Sequence, residues 1–250
     1  MDPNQFYCIQ PKLIRNDYPP PSNNKRLTCV FTFGTIIWIL LSFSTFLLAV
    51  CSVLHSTWLV GVKSYGNPAY QDTPYIPSIG PLVRCTRRYI YKNFEDTCVV
   101  YVNTSNFWKD QISYFWTISR LCLFLGFILI FFATFLSVTS ICAQTCCSGS
   151  KSLFTMTGVC QGFAGLFFIL GITFFTAGWS SIQIRMQYCG EQASYFLPGT
   201  CTLGWAFYSI LATVVLCLVC AVTSVCADKS ATSLAVLREK QKGDMCICSI

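Results

Sequence analysis

Four long stretches of this sequence contain no Lys, Arg, Asp or Glu. These stretches are 27–62, 121–150, 152–184 and 192–227. Each is longer than the roughly 20 apolar residues that a helix needs to cross the hydrocarbon core of a bilayer. Their apolar residues continue without the alternation typical of a barrel strand, which favours helices. The sequence therefore predicts an all-α membrane protein with four spanning helices, near 29–54, 114–142, 153–177 and 204–227.

The composition excludes several other classes of protein. Only 11% of the residues are charged, whereas a soluble domain usually carries about 25%. The net charge of +7 does not indicate nucleic-acid binding, because the basic residues lie in separate segments and form no single patch. One His and 10 acidic residues give little material for acid–base catalysis. We therefore expect a protein surrounded by membrane lipids, with no nucleic-acid partner, catalytic residue, metal site or cofactor.

The number of spans predicts the topology. An even number puts both termini on one side of the membrane. Lys25, Arg26, Lys151 and Lys229 flank spans on the side that we predict to be cytoplasmic. The chain is predicted to begin with a flexible cytoplasmic N-terminal tail, 1–26, and to end with a cytoplasmic C-terminal tail, 228–250. The bundle between them, 27–227, has two extracellular loops, 55–112 and 178–203, and one cytoplasmic loop, 143–152.

The cysteines of the two predicted extracellular loops support this orientation. Loop 55–112 contains Cys85 and Cys98, and loop 178–203 contains Cys189 and Cys201. Even numbers of cysteines suit disulfides in an oxidising compartment. We favour the pairs Cys85–Cys98 and Cys189–Cys201, because the nearer partner closes the shorter ring at the lower entropic cost. Pairing across the two loops stays an alternative at this point.

Other residues are candidates for modification. The sequon Asn103-Thr-Ser lies in the first extracellular loop and predicts an N-glycosylation site. Cys142, Cys146 and Cys147 lie at the cytoplasmic end of the second span. Juxtamembrane cysteines are substrates for reversible palmitoylation, although buried or free reduced thiols are an equally good interpretation.

Two features of the spans bear on packing. Gly158-Val-Cys-Gln-Gly162 is a G-x-x-x-G pattern in the third span, which permits close approach of another helix. That helix belongs either to the same bundle, the commoner outcome, or to a partner. Arg120 lies in the second span, where a charge must reach the outer interface or form a buried pair; we favour the interface.

The first extracellular loop also has the chemistry of a hairpin. Segments 82–91 and 97–102 are rich in Val, Ile, Tyr and Thr, and 92–96 is turn-like. Tryptophans lie near the outer ends of the spans, which predicts an interfacial belt; they are Trp58, Trp108, Trp116, Trp179 and Trp205.

Several segments together resemble a known family. They are Trp58-Leu-Val-Gly61, Gln161-Gly-Phe-Ala-Gly-Leu166, Ala177-Gly-Trp179, Cys189-Gly-Glu191 and Pro198-Gly-Thr-Cys-Thr-Leu-Gly-Trp-Ala-Phe207. This combination resembles the LHFPL (lipoma HMGIC fusion partner-like) tetraspan family, most closely its second-subfamily branch. That family is similar to the wider claudin-like superfamily, whose first outside loop carries a Gly-Leu-Trp pattern and two cysteines. Here Gly80-Pro-Leu82 precedes Cys85, so the match to this signature is partial.

The resemblance implies a left-handed four-helix bundle with a small extracellular β-sheet built from both loops. It also implies a non-enzymatic protein of the plasma membrane, because relatives help to assemble or localise channels and receptors. The expected partner is therefore a channel or receptor subunit, and a homo-oligomer is a further possibility. The alternative is a claudin-like protein of cell–cell adhesion or of a barrier between cells.

Overall fold

A computed structural model describes residues 29–62, 76–90, 93–100, 114–146, 153–231 and 246–249. Four long helices dominate these segments: α1 (Phe33–Leu54), α2 (Tyr114–Cys146), α3 (Leu153–Ala177) and, after the three-residue helix α4 (Ile182–Ile184), α5 (Trp205–Ala231). The predicted tail 1–26, the sequon at Asn103 and Cys147 lie outside the described residues.

The four long helices form a bundle in the cyclic order α1, α2, α3, α5, and each helix is antiparallel to its neighbours. All four are long and apolar enough to cross a membrane. None contains a proline, so no backbone N–H is lost from their hydrogen-bond ladders. The predicted four-helix membrane bundle is confirmed.

The ends of the helices differ from the predicted spans. The first span was expected from residue 29, but Cys29–Thr32 form strand β1, which pairs in parallel with the last strand, β7 (Cys246–Ser249). The predicted cytoplasmic loop and C-terminal tail are shortened, because α2 continues to Cys146 and α5 to Ala231. Apolar composition sets where a helix enters lipid, but a helix continues beyond the bilayer wherever its residues permit.

A five-stranded antiparallel sheet lies at one end of the bundle, which we call the sheet end; α1 and α3 finish there, and α2 and α5 begin there. Its strand order is β5 (Asn93–Val100), β4 (Val83–Ile90), β3 (Ser78–Ile79), β2 (Leu59–Val60) and β6 (Thr202–Leu203). Strand β6 comes from the second predicted loop and the others from the first. A small sheet built from both loops is therefore confirmed.

The hairpin β4–β5 corrects one prediction. Segment 92–96 was expected to be a turn, but β5 begins at Asn93, and its register places Ile90 opposite Asn93. The register also sets two basic positions opposite two acidic ones, Arg87 opposite Asp96 and Arg88 opposite Glu95. This register depends on both strands together, which a residue-by-residue strand propensity misses.

A polar bridge joins two opposite helices in the interior of the bundle. Gln161 of α3 is fully buried, and its Nε2 donates to Ser42 Oγ of α1 over 2.7 Å. Ser42 Oγ in turn donates to the carbonyl of Trp38 (2.8 Å). In an apolar interior a polar side chain is stabilised only by such a partner, so this bridge fixes how α1 and α3 face each other.

The G-x-x-x-G pattern packs inside the bundle. A Cβ added to Gly158 would overlap Ser224 Oγ of α5 and lie 2.7 Å from Ser224 Cβ. A Cβ added to Gly162 would lie 3.8 Å from Ala221 Cβ, an ordinary contact. Only Gly158 therefore needs to be a glycine for α3 and α5 to pack this closely.

Candidate interaction surface

The sheet rests directly on the bundle, through the segment that joins α1 to β2. A Cβ on Gly80 would overlap the carbonyl oxygen of His55, and a Cβ on Gly204 would overlap that of Thr57. The Gly204 N–H donates to the carbonyl of Trp58 over 3.0 Å. Two glycines thus allow the connections before β4 and before α5 to lie against the same short segment. We call this segment, residues 55–58, the seat.

Trp58 anchors the seat in the core of the bundle. Its side chain is fully buried. Its ring meets Phe175 of α3 at a centroid distance of 5.0 Å and Phe207 of α5 at 5.9 Å, both edge to face. Its Nε1 donates to the carbonyl of Ser52 in α1 over 2.6 Å. One side chain therefore connects three helices to the strand that follows it.

The predicted tryptophan belt is wrong for three of its members. Trp58, Trp116 and Trp179 are buried at the sheet end, whereas Trp205 is 50% exposed. Trp116 stacks on Phe175 and Trp179 meets the same ring edge to face. Indoles at span ends are typical of the lipid interface, but here the three rings pack against Phe175 of α3 and Phe207 of α5.

Polar contacts also join the sheet to the helices. Arg120 of α2 donates from Nε to the carbonyl of Pro81 over 2.9 Å, just before β4. Both Nη atoms of Arg120 are buried, so the guanidinium lies against the connection before β4, whereas the sequence favoured an approach to the lipid interface. Below the hairpin, Ser56 Oγ lies 3.0 Å from Ser78 Oγ and 3.3 Å from Cys85 Sγ. The hydroxyl is the donor to sulfur, because a disulfide sulfur carries no hydrogen.

Two disulfides stabilise this end of the molecule. Cys85 and Cys98 face each other in the hairpin register and are bonded, and Cys189 is bonded to Cys201. The structure thus has both pairs within their own loops and neither pair across the loops. By the loop-entropy model each ring restrains the unfolded chain by about 3 kcal/mol, so the sheet and the second loop keep a defined shape.

The second loop contains an exposed apolar turn between its two disulfide cysteines. Ser194 and Leu197 exchange backbone hydrogen bonds, N–H to carbonyl, of 3.0 and 3.1 Å. The turn exposes Tyr195, Phe196 and Leu197 by 56%, 58% and 61%. We call residues 194–197 the apolar turn.

Phe196 has a backbone conformation that its side chain disfavours. Its φ is +61°, the one positive value among the described non-glycine residues. A bulky side chain there costs about 1–2 kcal/mol relative to ordinary backbone, and the exposed ring recovers little of this cost by burial. Strain of this kind concentrates at functional sites, so the apolar turn is a candidate site of contact with something outside the chain.

This strain leads to a measurable prediction. In detergent, the free energy of unfolding of Phe196→Gly should be no lower than that of the wild type and up to about 1 kcal/mol higher, because glycine adopts a positive φ freely. The matched control is Leu197→Gly, which loses an equally exposed side chain at a position without positive φ and should cost about 0.5–1 kcal/mol. Thermal unfolding of both variants tests this. An equal loss for the two glycines would contradict strain at Phe196.

The remaining predicted sites lie apart from this surface. Cys142 and Cys146 lie in the last turns of α2, at the end of the bundle away from the sheet, so their palmitoylation stays a prediction. Gly158 and Gly162 lie in α3 between the two ends and pack against α5. Among the described residues, no three His, Cys, Asp or Glu side chains are grouped so that they would hold a metal ion.

Sequence reasoning missed the residues that shape the sheet end. Gly80 and Gly204 follow no glycine pattern that predicts a close contact. Phe196 is of a residue type that is usually buried in a core, although Pro198-Gly199, which follow it, indicate a turn. Only that proline–glycine pair offered a sign that the preceding aromatic residue belongs to a tight turn.

Comparison with known proteins adds to this geometry. A family model described as "Lipoma HMGIC fusion partner-like protein" matches residues 34–227. The human LHFPL tetraspan subfamily member 2 protein is 33% identical over 228 residues, which cover 88% of this chain and 97% of the relative. The zebrafish (Danio rerio) LHFPL tetraspan subfamily member 2a protein is 32% identical over 226 residues, with the same coverage. The family match reaches from the first span into the fourth and includes both disulfides.

Proposed function

This chain belongs to the lipoma HMGIC fusion partner-like family of four-span membrane proteins, and from that premise we propose that it is a non-enzymatic accessory protein. In this proposal it binds a channel or receptor subunit laterally in the plasma membrane and helps to assemble or localise it. The family match indicates no catalytic domain. Both termini are cytoplasmic, so that the sheet end is extracellular, where the two disulfides are stable.

The observation that supports this function is the joining of sheet and bundle into one body. The seat is anchored in the helices by Trp58. On its other side it contacts the backbone at Gly80 and Gly204. A partner that crosses the membrane is able to contact both layers of such a body at once, and rigid surfaces bind at a lower entropic cost than mobile ones. A rigid side surface of this kind suits a scaffold for another membrane protein.

Site-specific crosslinking tests the proposal. A photoreactive amino acid at Val100, which is 47% exposed on β5 at the sheet edge, should give adducts with one defined membrane protein in native membranes. The matched control is Val225 of α5, which is 44% exposed near the opposite end of the bundle. There we expect predominantly lipid adducts. Purification in mild detergent should recover the same partner without crosslinking.

Two results would count against an accessory role. Recovery of the chain alone from several tissues, with no protein adduct at Val100, would contradict it. An adduct with twice the mass of the chain would instead identify a second copy of the protein as the partner, and would replace the hetero-partner by a homo-oligomer.

One observation favours adhesion as a second candidate. In the order of the strands, β5 is the furthest from β2 and β6, the strands next to the helices. A surface on a neighbouring cell would meet this edge first. Adhesion predicts that the protein, expressed in non-adherent cells, concentrates at cell contacts, whereas an accessory protein spreads uniformly over the surface in the absence of its partner.

A further inference from the structure

The apolar turn lies at the level where the helices leave the membrane. The N–H of Phe196 donates to the carbonyl of Thr176 over 3.3 Å, and Thr176 lies within the third candidate span, which continues to Ser180. The ring of Tyr195 meets Phe115 edge to face, at a centroid distance of 6.2 Å, in the first turn of α2. The second loop therefore returns to the outer turn of two spanning helices after leaving α3.

The apolar turn also lies on the lipid side of α3. Ile169, Thr173 and Thr176 are three or four residues apart and so share one face of the helix. Ile169 and Thr173 are exposed, as lipid-facing residues of a span are, but Thr176 is only 9% exposed. Its carbonyl accepts the N–H of Phe196. The turn therefore continues the lipid-facing surface of the span.

The apolar turn follows two polar residues. Glu191 and Gln192 are exposed just before it, whereas Tyr195, Phe196 and Leu197 expose two aromatic rings and a leucine side chain. Aromatic residues favour the boundary between lipid headgroups and acyl chains, and a compact apolar surface at that depth is typical of elements that lie in the interface.

We propose that the apolar turn inserts into the lipid interface at the sheet end, so that Tyr195, Phe196 and Leu197 contact lipid rather than water or a partner protein. The membrane then provides the burial that the strained Phe196 lacks within the chain. Cys189–Cys201 closes the loop around this turn immediately before β6, so a turn held in the interface also limits the height of β6 above the membrane.

Depth-dependent quenching tests this insertion on the full-length protein in phosphatidylcholine nanodiscs, which contain no partner protein. A fluorescent amino acid replaces Leu197, or Gln192 as the matched control in the same loop. The quenchers are phosphatidylcholine with a spin label on acyl carbon 5, and aqueous iodide. We expect lipid quenching at Leu197 to be about twofold stronger than at Gln192, with weaker iodide quenching, because the turn lies in the interface.

The result that would overturn the proposal is equal access of iodide to both positions without extra lipid quenching at Leu197. A second variant separates lipid contact from folding. Phe196→Asp introduces a residue that tolerates a positive φ better than phenylalanine does, so the backbone of the turn is preserved. It also adds a charge that the lipid interface disfavours. Lipid quenching at Leu197 should fall to the level of Gln192, while the variant still elutes as one folded species. Unchanged quenching would contradict an anchoring role for Phe196.

Discussion

Gly158→Ala should destabilise the protein by about 3 kcal/mol, a large loss for the addition of a single methyl group. The new Cβ would overlap Ser224 Oγ and lie 2.7 Å from Ser224 Cβ, and the carbonyl of Ala221 is 3.2 Å away. Rotation of the serine removes only the first of these contacts. The backbones of α3 and α5 must therefore separate, which weakens the packing that holds helices together in lipid.

The same pattern provides the control. Gly162→Ala should be tolerated, because its Cβ would meet Ala221 Cβ at 3.8 Å, and it should add the better helix propensity of alanine. Ser224→Gly in the Gly158→Ala background should restore about half of the loss, since it makes room but places a glycine in α5. Thermal unfolding monitored by size-exclusion chromatography compares the four proteins. Equal effects of the two single alanine variants would contradict this account of the interface.

This interface shows how far the sequence predicts the bundle. The absence of charge in four long stretches predicts four spans, because the energetic requirement of lipid applies to every residue of a helix. The spacing of Gly158 and Gly162 predicts a close helix contact but gives neither its partner nor which glycine is essential. That difference depends on Ser224 and Ala221, which are distant in sequence and meet α3 only in the folded bundle.

The sheet end is less predictable from sequence, for a different physical reason. Strand propensity indicated the hairpin but misplaced its turn, since the register is set by the pairing of both strands and not by the preference of one segment. Strands β2, β3 and β6 have two residues each, too few for an alternating pattern. Phe196 is exposed because the turn presents it outward, and composition alone does not distinguish such a residue from a core phenylalanine.

Trp58→Ala should have an even larger effect, a loss of about 4 kcal/mol, because it leaves a cavity where three helices meet the sheet. The lost contacts are the edge-to-face pairs with Phe175 and Phe207. The loss also removes the hydrogen bond to the carbonyl of Ser52. Trp58→Phe is the matched control, and it should cost about 2 kcal/mol, because it retains an aromatic ring in the core but not the indole N–H.

Hydrogen exchange distinguishes a loosened sheet from a loosened bundle in the Trp58→Ala protein. Leu59 of β2 pairs with Leu203 of β6, and the Gly204 N–H bonds to the carbonyl of residue 58 itself. Without the indole, the seat loses its anchor in the helices, so the amides of β2 and β6 should lose protection before those in the middle of α3 and α5. If helix and strand amides lose protection together, Trp58 stabilises the bundle as a whole. If β2 and β6 remain as protected as in the wild type, the sheet is held by its strands and glycine contacts alone, and the rigid body on which partner binding depends has another anchor.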